Sequence, residues 1–173
     1  DVYKRQILDN KISIIAEHKR KSPSKSEINF FSKTEDVASG YEKNGAVGIS
    51  VLTDEYFFGG SNNDLKIVKE ICNIPVLRKD FIVDEYQIVE SKSIGADTIL
   101  LIAAILSDKQ ILKFSKLAKE LGLGVLTEIH SLEDLHRCDF TYIDIIGVNN
   151  RNLKTFNVDL KYSIEVYNKI PNE

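Results

Sequence analysis

The sequence predicts an α/β protein built on a parallel sheet, and three observations carry that prediction. Short β-rich apolar runs alternate with longer helical patterns along the whole chain. Each run is short and shows little polar alternation, which is how a strand buried on both faces reads. No low-complexity stretch or linker interrupts the alternation. Repeated βα order dictates parallel strands joined by right-handed crossovers. Two architectures satisfy it, an open doubly wound sheet and a (β/α)8 TIM barrel truncated to about six βα units. In both, chemistry belongs at the C-terminal ends of the strands.

The predicted strands are Ile12–Glu17, Val47–Leu52, Pro75–Lys79, Thr98–Ile102, Gly124–Thr127 and Tyr142–Gly147. Between them the helical segments are Thr34–Lys43, Asn63–Cys72, Asp84–Ser93, Asp108–Leu121, Ser131–Arg137 and Leu160–Lys169. Thr34 is the expected cap of the first helix, with Asn44-Gly45 closing it. Ser107 is the expected cap of the helix that closes at Gly122. On that helix Ile111, Leu112, Leu117 and Ala118 share one face, leaving Lys113, Lys116 and Lys119 as a solvated one.

The 173 residues carry a formal net charge of −3, with 43% apolar and 28% charged residues. These are globular values, sufficient for one substantial core, and they exclude intrinsic disorder. A mildly acidic chain has no electrostatic pull on phosphate backbones, so nucleic acid is not an expected partner. The longest apolar run, Ile99 to Leu106, is too short to span a bilayer, and no membrane partner is expected. Cys72 and Cys138 lack CxxC spacing and fit reduced thiols in a cytoplasmic protein better than a disulfide. The opening Asp1–Gln6 looks like a translated sequencing adapter and is set aside, leaving residues 7–173 as a partial barrel domain.

Polar residues at the strand ends are the candidates for chemistry. The first strand runs Ile14-Ile15-Ala16-Glu17-His18-Lys19, and alternation places Glu17 and Lys19 on one face and His18 on the other. Glu17 with Lys19 reads either as a structural ion pair or as a proton-transfer group beside a cation for an anionic substrate. The third strand ends Leu77-Arg78-Lys79-Asp80-Phe81, and Lys79, partly wrapped by apolar neighbours, suits a general acid or a snorkelling surface lysine. Glu128 ends the fifth strand as a third acid/base candidate. Asn149-Asn150-Arg151 follows the sixth, where an amide and a guanidinium suit orienting a substrate and binding a carboxylate.

Other signals exclude more than they suggest. Gly122-Leu-Gly124 lacks the spacing of a dinucleotide loop, and neither GxxxxGK[ST] nor GxSxG occurs. His18, His130 and His136 lack metal-ligand spacing. Phe57-Phe58-Gly59-Gly60-Ser61 reads as an aromatic wall with a flexible loop, or as a loop packed on the sheet.

From Ile14 to Leu160 the chain resembles the indole-3-glycerol-phosphate synthases of tryptophan biosynthesis. The motifs that carry the resemblance are Ile14-Ile-Ala-Glu-His-Lys-Arg-Lys-Ser-Pro-Ser-Lys25, Ile49-Ser-Val-Leu-Thr-Asp54, Phe58-Gly-Gly-Ser61 and Pro75-Val-Leu-Arg-Lys-Asp-Phe81. They continue with Gly95-Ala-Asp97 to Leu100-Leu101-Ile102, Glu128-Ile-His130 and Ile146-Gly-Val-Asn-Asn-Arg-Asn-Leu153. Their joint order and spacing is far more specific than any one of them.

The resemblance implies a barrel carboxy-lyase. Its substrate would be 1-(2-carboxyphenylamino)-1-deoxyribulose 5-phosphate, closed to indole-3-glycerol phosphate with loss of carbon dioxide and water. It implies that Lys79 is the general acid and that Lys19 binds the substrate carboxylate. Glu128 and Glu17 would share the later proton transfers, Asn149 would hold a hydroxyl, Arg151 would help fix the site and Ser22 would contact phosphate. Phe58, Phe81 and Leu101 would form the slot for the aromatic ring. No metal or organic cofactor is implied.

Ser26 departs from a usual glycine, and His18 from a usual apolar or aromatic residue. The loop after strand seven, strand eight and the helical extension before strand one are not in this sequence. Those last loops supply most of a barrel's phosphate grip, so the chain as it stands is expected to be inactive or nearly so. The reading from a different class is a non-catalytic phosphate-binding α/β module. A receiver-like module would need acids clustered after the first strand, where Lys19 stands instead. A neighbouring phosphate-binding isomerase barrel is disfavoured by Leu77–Phe81 and Glu128.

Overall fold

A computed structural model describes residues 12–151 and 157–170. Six strands form one sheet: β1 (Ile15–His18), β2 (Gly48–Leu52), β3 (Val76–Lys79), β4 (Thr98–Ile102), β5 (Gly124–Ile129) and β6 (Ile145–Val148). Every neighbouring pair is parallel, and spatial order equals chain order. A doubly wound sheet reverses its strand order at a switch point. Here none occurs, so the sheet is a sector of a (β/α)8 barrel. Among the described residues, β1 and β6 are its edges.

The helices are α1 (Thr34–Lys43), α2 (Glu55–Phe58), α3 (Asn62–Ile71), α4 (Glu85–Ser93), α5 (Asp108–Glu120), α6 (Leu132–His136) and α7 (Lys161–Tyr167). The expected six are present with slightly shifted ends. The single-turn α2 was not anticipated, because four residues are too few to show a helical period. None is long and apolar enough to cross a membrane. The Asp1–Gln6 segment and Leu153 lie outside the described residues.

Two local expectations need correction. Thr34 does not cap α1. Lys33 occupies that position with no side-chain bond, while the buried Thr34 hydroxyl donates to Asp64 at 2.8 Å. On α5 the buried face is Ile111, Phe114, Ser115 and Ala118, and Leu112 is 43% exposed. Ser107 does cap α5, in a capping box with Gln110.

Alternation divides the core into two unequal parts. The helix-facing layer contains Ile49, Val51, Val76, Ile99, Leu101, Val125 and Ile129 packed against Leu65, Val68, Ile88 and Ile111. The inner face carries only a small apolar group, Leu77, Leu100, Ile102 and Leu126. Burial on the helix side stabilises the sheet, at roughly 25 cal/mol per Å² of apolar area. The inner face is left for polar groups.

At the N-terminal end of the sheet two carboxylates act as clamps. Asp97 accepts from Lys69 Nζ at 2.8 Å and from the Val76 N–H at 2.8 Å. Asp144 accepts from Lys119 Nζ at 2.9 Å and from the Val125 N–H at 2.9 Å. Lys119 is therefore not simply part of a solvated face.

Both cysteines are buried and free. Burial, helped by Asp134, pushes the Cys138 thiol up to about 11. Burial and Glu42 raise that of Cys72 as well. Thiolate is the reactive form. A colorimetric disulfide reagent near neutral pH should therefore label neither thiol in the folded chain and both after unfolding; rapid labelling of the native chain would contradict this burial.

Candidate active site

The C-terminal ends of the strands surround a cleft of ≈ 400 Å³, continuous with a deeper chamber of ≈ 350 Å³. Lys79, Leu100, Glu128 and Asn149 line both. Each side chain arrives by strand alternation. β1 directs Glu17 and Lys19 inward, and His18 turns outward to lie 3.4 Å from the Thr34 hydroxyl. β3 directs Lys79 inward and Arg78 outward.

Arg78 is 3% exposed and fully engaged on the helix side. It pairs with Asp80 at 3.0 Å and Glu90 at 2.8 Å, and donates to Thr53, Ser91 and the Gln87 carbonyl. Asp80 in turn accepts from the Thr53 hydroxyl at 2.6 Å and from the Phe81 N–H at 2.8 Å. This lattice fixes the turn that presents Lys79 and Phe81 to the cleft.

Glu17 is the electrostatic centre. One carboxylate oxygen accepts from Lys19 Nζ at 2.5 Å and the other from Lys79 Nζ at 2.7 Å. Burial alone would raise its pKa, but Lys79 and Lys19 together outweigh burial and hold it below the ordinary carboxylate value. Glu17 is therefore an anion shared by two cations. Glu128 is placed differently. Among the described residues its polar partners are the Asn149 amide at 3.3 Å and His130 at 3.3 Å.

Phe58 and Phe81 both line the cleft, with ring centroids 5.9 Å apart. Phe58 is carried by α2, which Asp54 caps by accepting from the Phe57 N–H at 2.6 Å. The return from α2 passes so close to β2 that a Cβ on Gly60 would lie 1.9 Å from the Leu52 carbonyl oxygen. Only glycine permits that approach, and it sets the depth of the aromatic wall.

The cleft does not receive every predicted residue. Leu101 is fully buried in the helix-side layer and lines neither chamber. Leu100, one residue earlier, lines both. The reason is period-two alternation, which points adjacent strand residues to opposite faces. Ser22 sits in a tight turn bridged to Lys25, and its neighbours Pro23 and Ser24 line the cleft instead. Arg151 lines the mouth, where its backbone N–H donates to Asn149 Oδ1 at 3.0 Å. Residue-level reading also passed over Ser50 and His130. Both follow from the same alternation, two residues from Leu52 and Glu128 respectively.

A second network anchors the loop that leaves β1. Arg20 forms a bidentate pair with Asp64, both contacts at 2.7 Å. Asp64 also accepts from the hydroxyls of Thr34 and Ser61, each at 2.8 Å. Burial would raise Asp64, but Arg20, Thr34 and Ser61 bring it down to about 2.

The family model described as indole-3-glycerol phosphate synthase matches residues 2–173. The chain belongs to that family. An indole-3-glycerol phosphate synthase of Bacteroides thetaiotaomicron is 44% identical over 170 residues, covering 98% of this chain and 65% of the relative. One of Prochlorococcus marinus is 48% identical over 168 residues, covering 95% and 57%. One of Campylobacter jejuni subsp. doylei is 47% identical over 165 residues, covering 95% and 64%. The chain thus spans less than two thirds of the length of these indole-3-glycerol phosphate synthases. Among solved structures, a mandelate oxidase with 3,3-difluoro-2-hydroxy-3-phenylpropionic acid superposes with a TM-score of 0.59 at 12% identity, covering 85% of this chain and 58% of that one. At that identity the likeness is one of fold.

Proposed function

We propose that this cleft is the greater part of an indole-3-glycerol phosphate synthase active site. It would act on 1-(2-carboxyphenylamino)-1-deoxyribulose 5-phosphate. The observation that carries the reading is the constellation itself. Two lysines share the anion Glu17 on one side of an apolar floor, Glu128 with Asn149 closes the other side, and two phenylalanines form a wall.

In this reading the aromatic ring lies between Phe58 and Phe81 over Leu100. Lys19 holds the substrate carboxylate. The ring carbon bearing that carboxylate attacks the ketone carbon while Lys79 delivers a proton to the ketone oxygen. The developing oxygen charge is met by a positioned cation, which lowers the barrier. The carboxylate leaves as carbon dioxide, and the new hydroxyl leaves as water. The surroundings of the two carboxylates support a division of labour. Glu17, held anionic by two lysines, orients and charges them. Glu128, with neutral amide support, is the base for the proton removed during dehydration. Asn149 holds a substrate hydroxyl, and Arg151, which lines the same cleft, helps fix the site. No step calls for a metal or organic cofactor. Two buried free thiols support a reducing, cytoplasmic setting.

The test is fluorescence detection of indole-3-glycerol phosphate made by two proteins. One is this chain, and the other is this chain grafted to strands seven and eight of a relative. Turnover is expected from the folded graft and almost none from the chain alone, since the last loops grip phosphate. A folded graft without turnover would defeat the assignment. Equal turnover by both would defeat the dependence on those loops.

A further inference from the structure

Arg137 directly follows α6 and has no part in the scheme above. Its guanidinium reaches back to two loops. NH1 donates to the Ala103 carbonyl at 3.2 Å and NH2 to the Leu106 carbonyl, 34 and 31 residues earlier. Nε donates to Asp108 at 2.6 Å, at the start of α5. NH1 also donates to Asp134 Oδ1 at 3.3 Å, and the other oxygen of Asp134 accepts from the His130 N–H at 2.9 Å. One side chain therefore ties the loop after β4 to the loop after β5.

The two carbonyls bracket a turn whose residues face two ways. Ala103 and Leu106 are buried in the helix-side core. Ala104 and Ile105, between them, line the cleft. Ile105 is 46% exposed, an apolar side chain turned to the cleft rather than packed in the core. The closing backbone bond of the turn, from the Leu106 N–H to the Ala103 carbonyl, is long at 3.3 Å. Bonds donated by a guanidinium are charge-assisted, and its planar fork holds both carbonyls at once. Arg137 thus contributes more to the shape of this turn than the turn's own closing bond does.

We infer that Arg137 is a positioning residue: by holding the carbonyls on either side of Ala104-Ile105 it sets the apolar wall that Ile105 presents to the bound substrate. The inference rests on the reading of the cleft as an indole-3-glycerol phosphate synthase site. It adds an apolar contact beyond Phe58 and Phe81, together with the residue that keeps it in place. Ile105 has no proton to give or take, so its contribution is to binding and its loss belongs in KM.

Two measurements test it. Hydrogen exchange in this chain reads the strap itself. Arg137→Gln should speed exchange of the Leu106 amide by about tenfold or more and leave the Leu101 amide of β4 unchanged. Unchanged exchange at Leu106, or equal acceleration at both amides, overturns the strap whatever the reaction. In the grafted barrel, Arg137→Gln and Ile105→Ala should each raise KM by about tenfold with kcat nearly unchanged, the scale of one lost apolar contact. Combined, they should cost little more than either alone, because both remove the same contact. Arg137→Lys, which keeps the charge but not the fork, should restore only part of the loss. An unchanged KM in Ile105→Ala, fully additive losses, or a fall in kcat alone overturns the positioning role. Should Arg137→Gln not fold, Arg137→Lys carries the same comparison of amides and Ile105→Ala the kinetics. A folded graft that makes no product before any substitution counts against the assigned reaction instead, and the exchange rates still decide the strap.

Discussion

Lys79→Ala in the grafted barrel should lower kcat by about 10²–10⁴-fold, the range associated with loss of a general acid. KM should change far less, because the aromatic slot and Lys19 remain. The fold should survive, since the Lys79 side chain is 33% exposed and rests on the inner face of β3 rather than in the helix-side core. Lys79→Arg separates two explanations. Arginine keeps the charge and can still pair with Glu17, but its guanidinium does not surrender a proton. Both variants should therefore be slow if proton delivery is the function of Lys79. Near-native kcat in the arginine variant would reduce that function to charge alone. Substantial kcat in the alanine variant would move the acid role to Lys19. Steady-state fluorescence of product formation reads all three outcomes.

Asp64→Ala should destabilise the chain by about 3–5 kcal/mol in urea titration, the usual consequence of orphaning a buried ionic partner. Its side chain is 7% exposed and that of Arg20 is 20% exposed, so water cannot readily replace the lost bonds. The same pair fixes an acid dependence. Asp64 stands at about 2 in the folded chain against an ordinary 3.8. A depressed carboxylate contributes its stability above the unfolded value and loses it as pH falls toward the folded one. That contribution amounts to about 2 kcal/mol, fading as pH drops from roughly 5 toward 2. Glu17, also depressed, adds to the loss in the same direction. Asp64→Asn should flatten the slope of unfolding free energy against pH across that window. An unchanged slope would place the acid sensitivity elsewhere.

Much of this was legible because barrels are built from local rules. Strand alternation alone separated Glu17 and Lys19 from His18, and would have separated Lys79 from Arg78. It also shows where the reading failed. Leu101 was chosen within a uniformly apolar strand, Thr98-Ile-Leu-Leu-Ile102, where neighbouring leucines look alike and only the phase set by the adjacent strands distinguishes them. Thr34 has the right residue type for a helix cap, but it stands one position too late, as the first residue of α1, and its hydroxyl donates to Asp64, thirty residues on. Arg78 carried no signal of burial in the sequence. Its solvation depends on Glu90 and Ser91 one helix away, which no local pattern reveals. His130 lacks metal-ligand spacing, and its place in the cleft lining follows only from strand alternation two residues beyond Glu128.

The two carboxylate clamps at the N-terminal end of the sheet have a consequence for how such a chain can assemble. Asp97 reaches back 28 residues to Lys69 and 21 to Val76, and Asp144 reaches back 25 to Lys119 and 19 to Val125. Each lock therefore closes a short span, and the entropy of closing it is modest. Each also completes one βαβ step without requiring the opposite side of the barrel. A nascent chain leaving the ribosome can thus secure β3 against β4, and later β5 against β6, in the order of synthesis. Among the described residues neither lock requires β1 to meet β6.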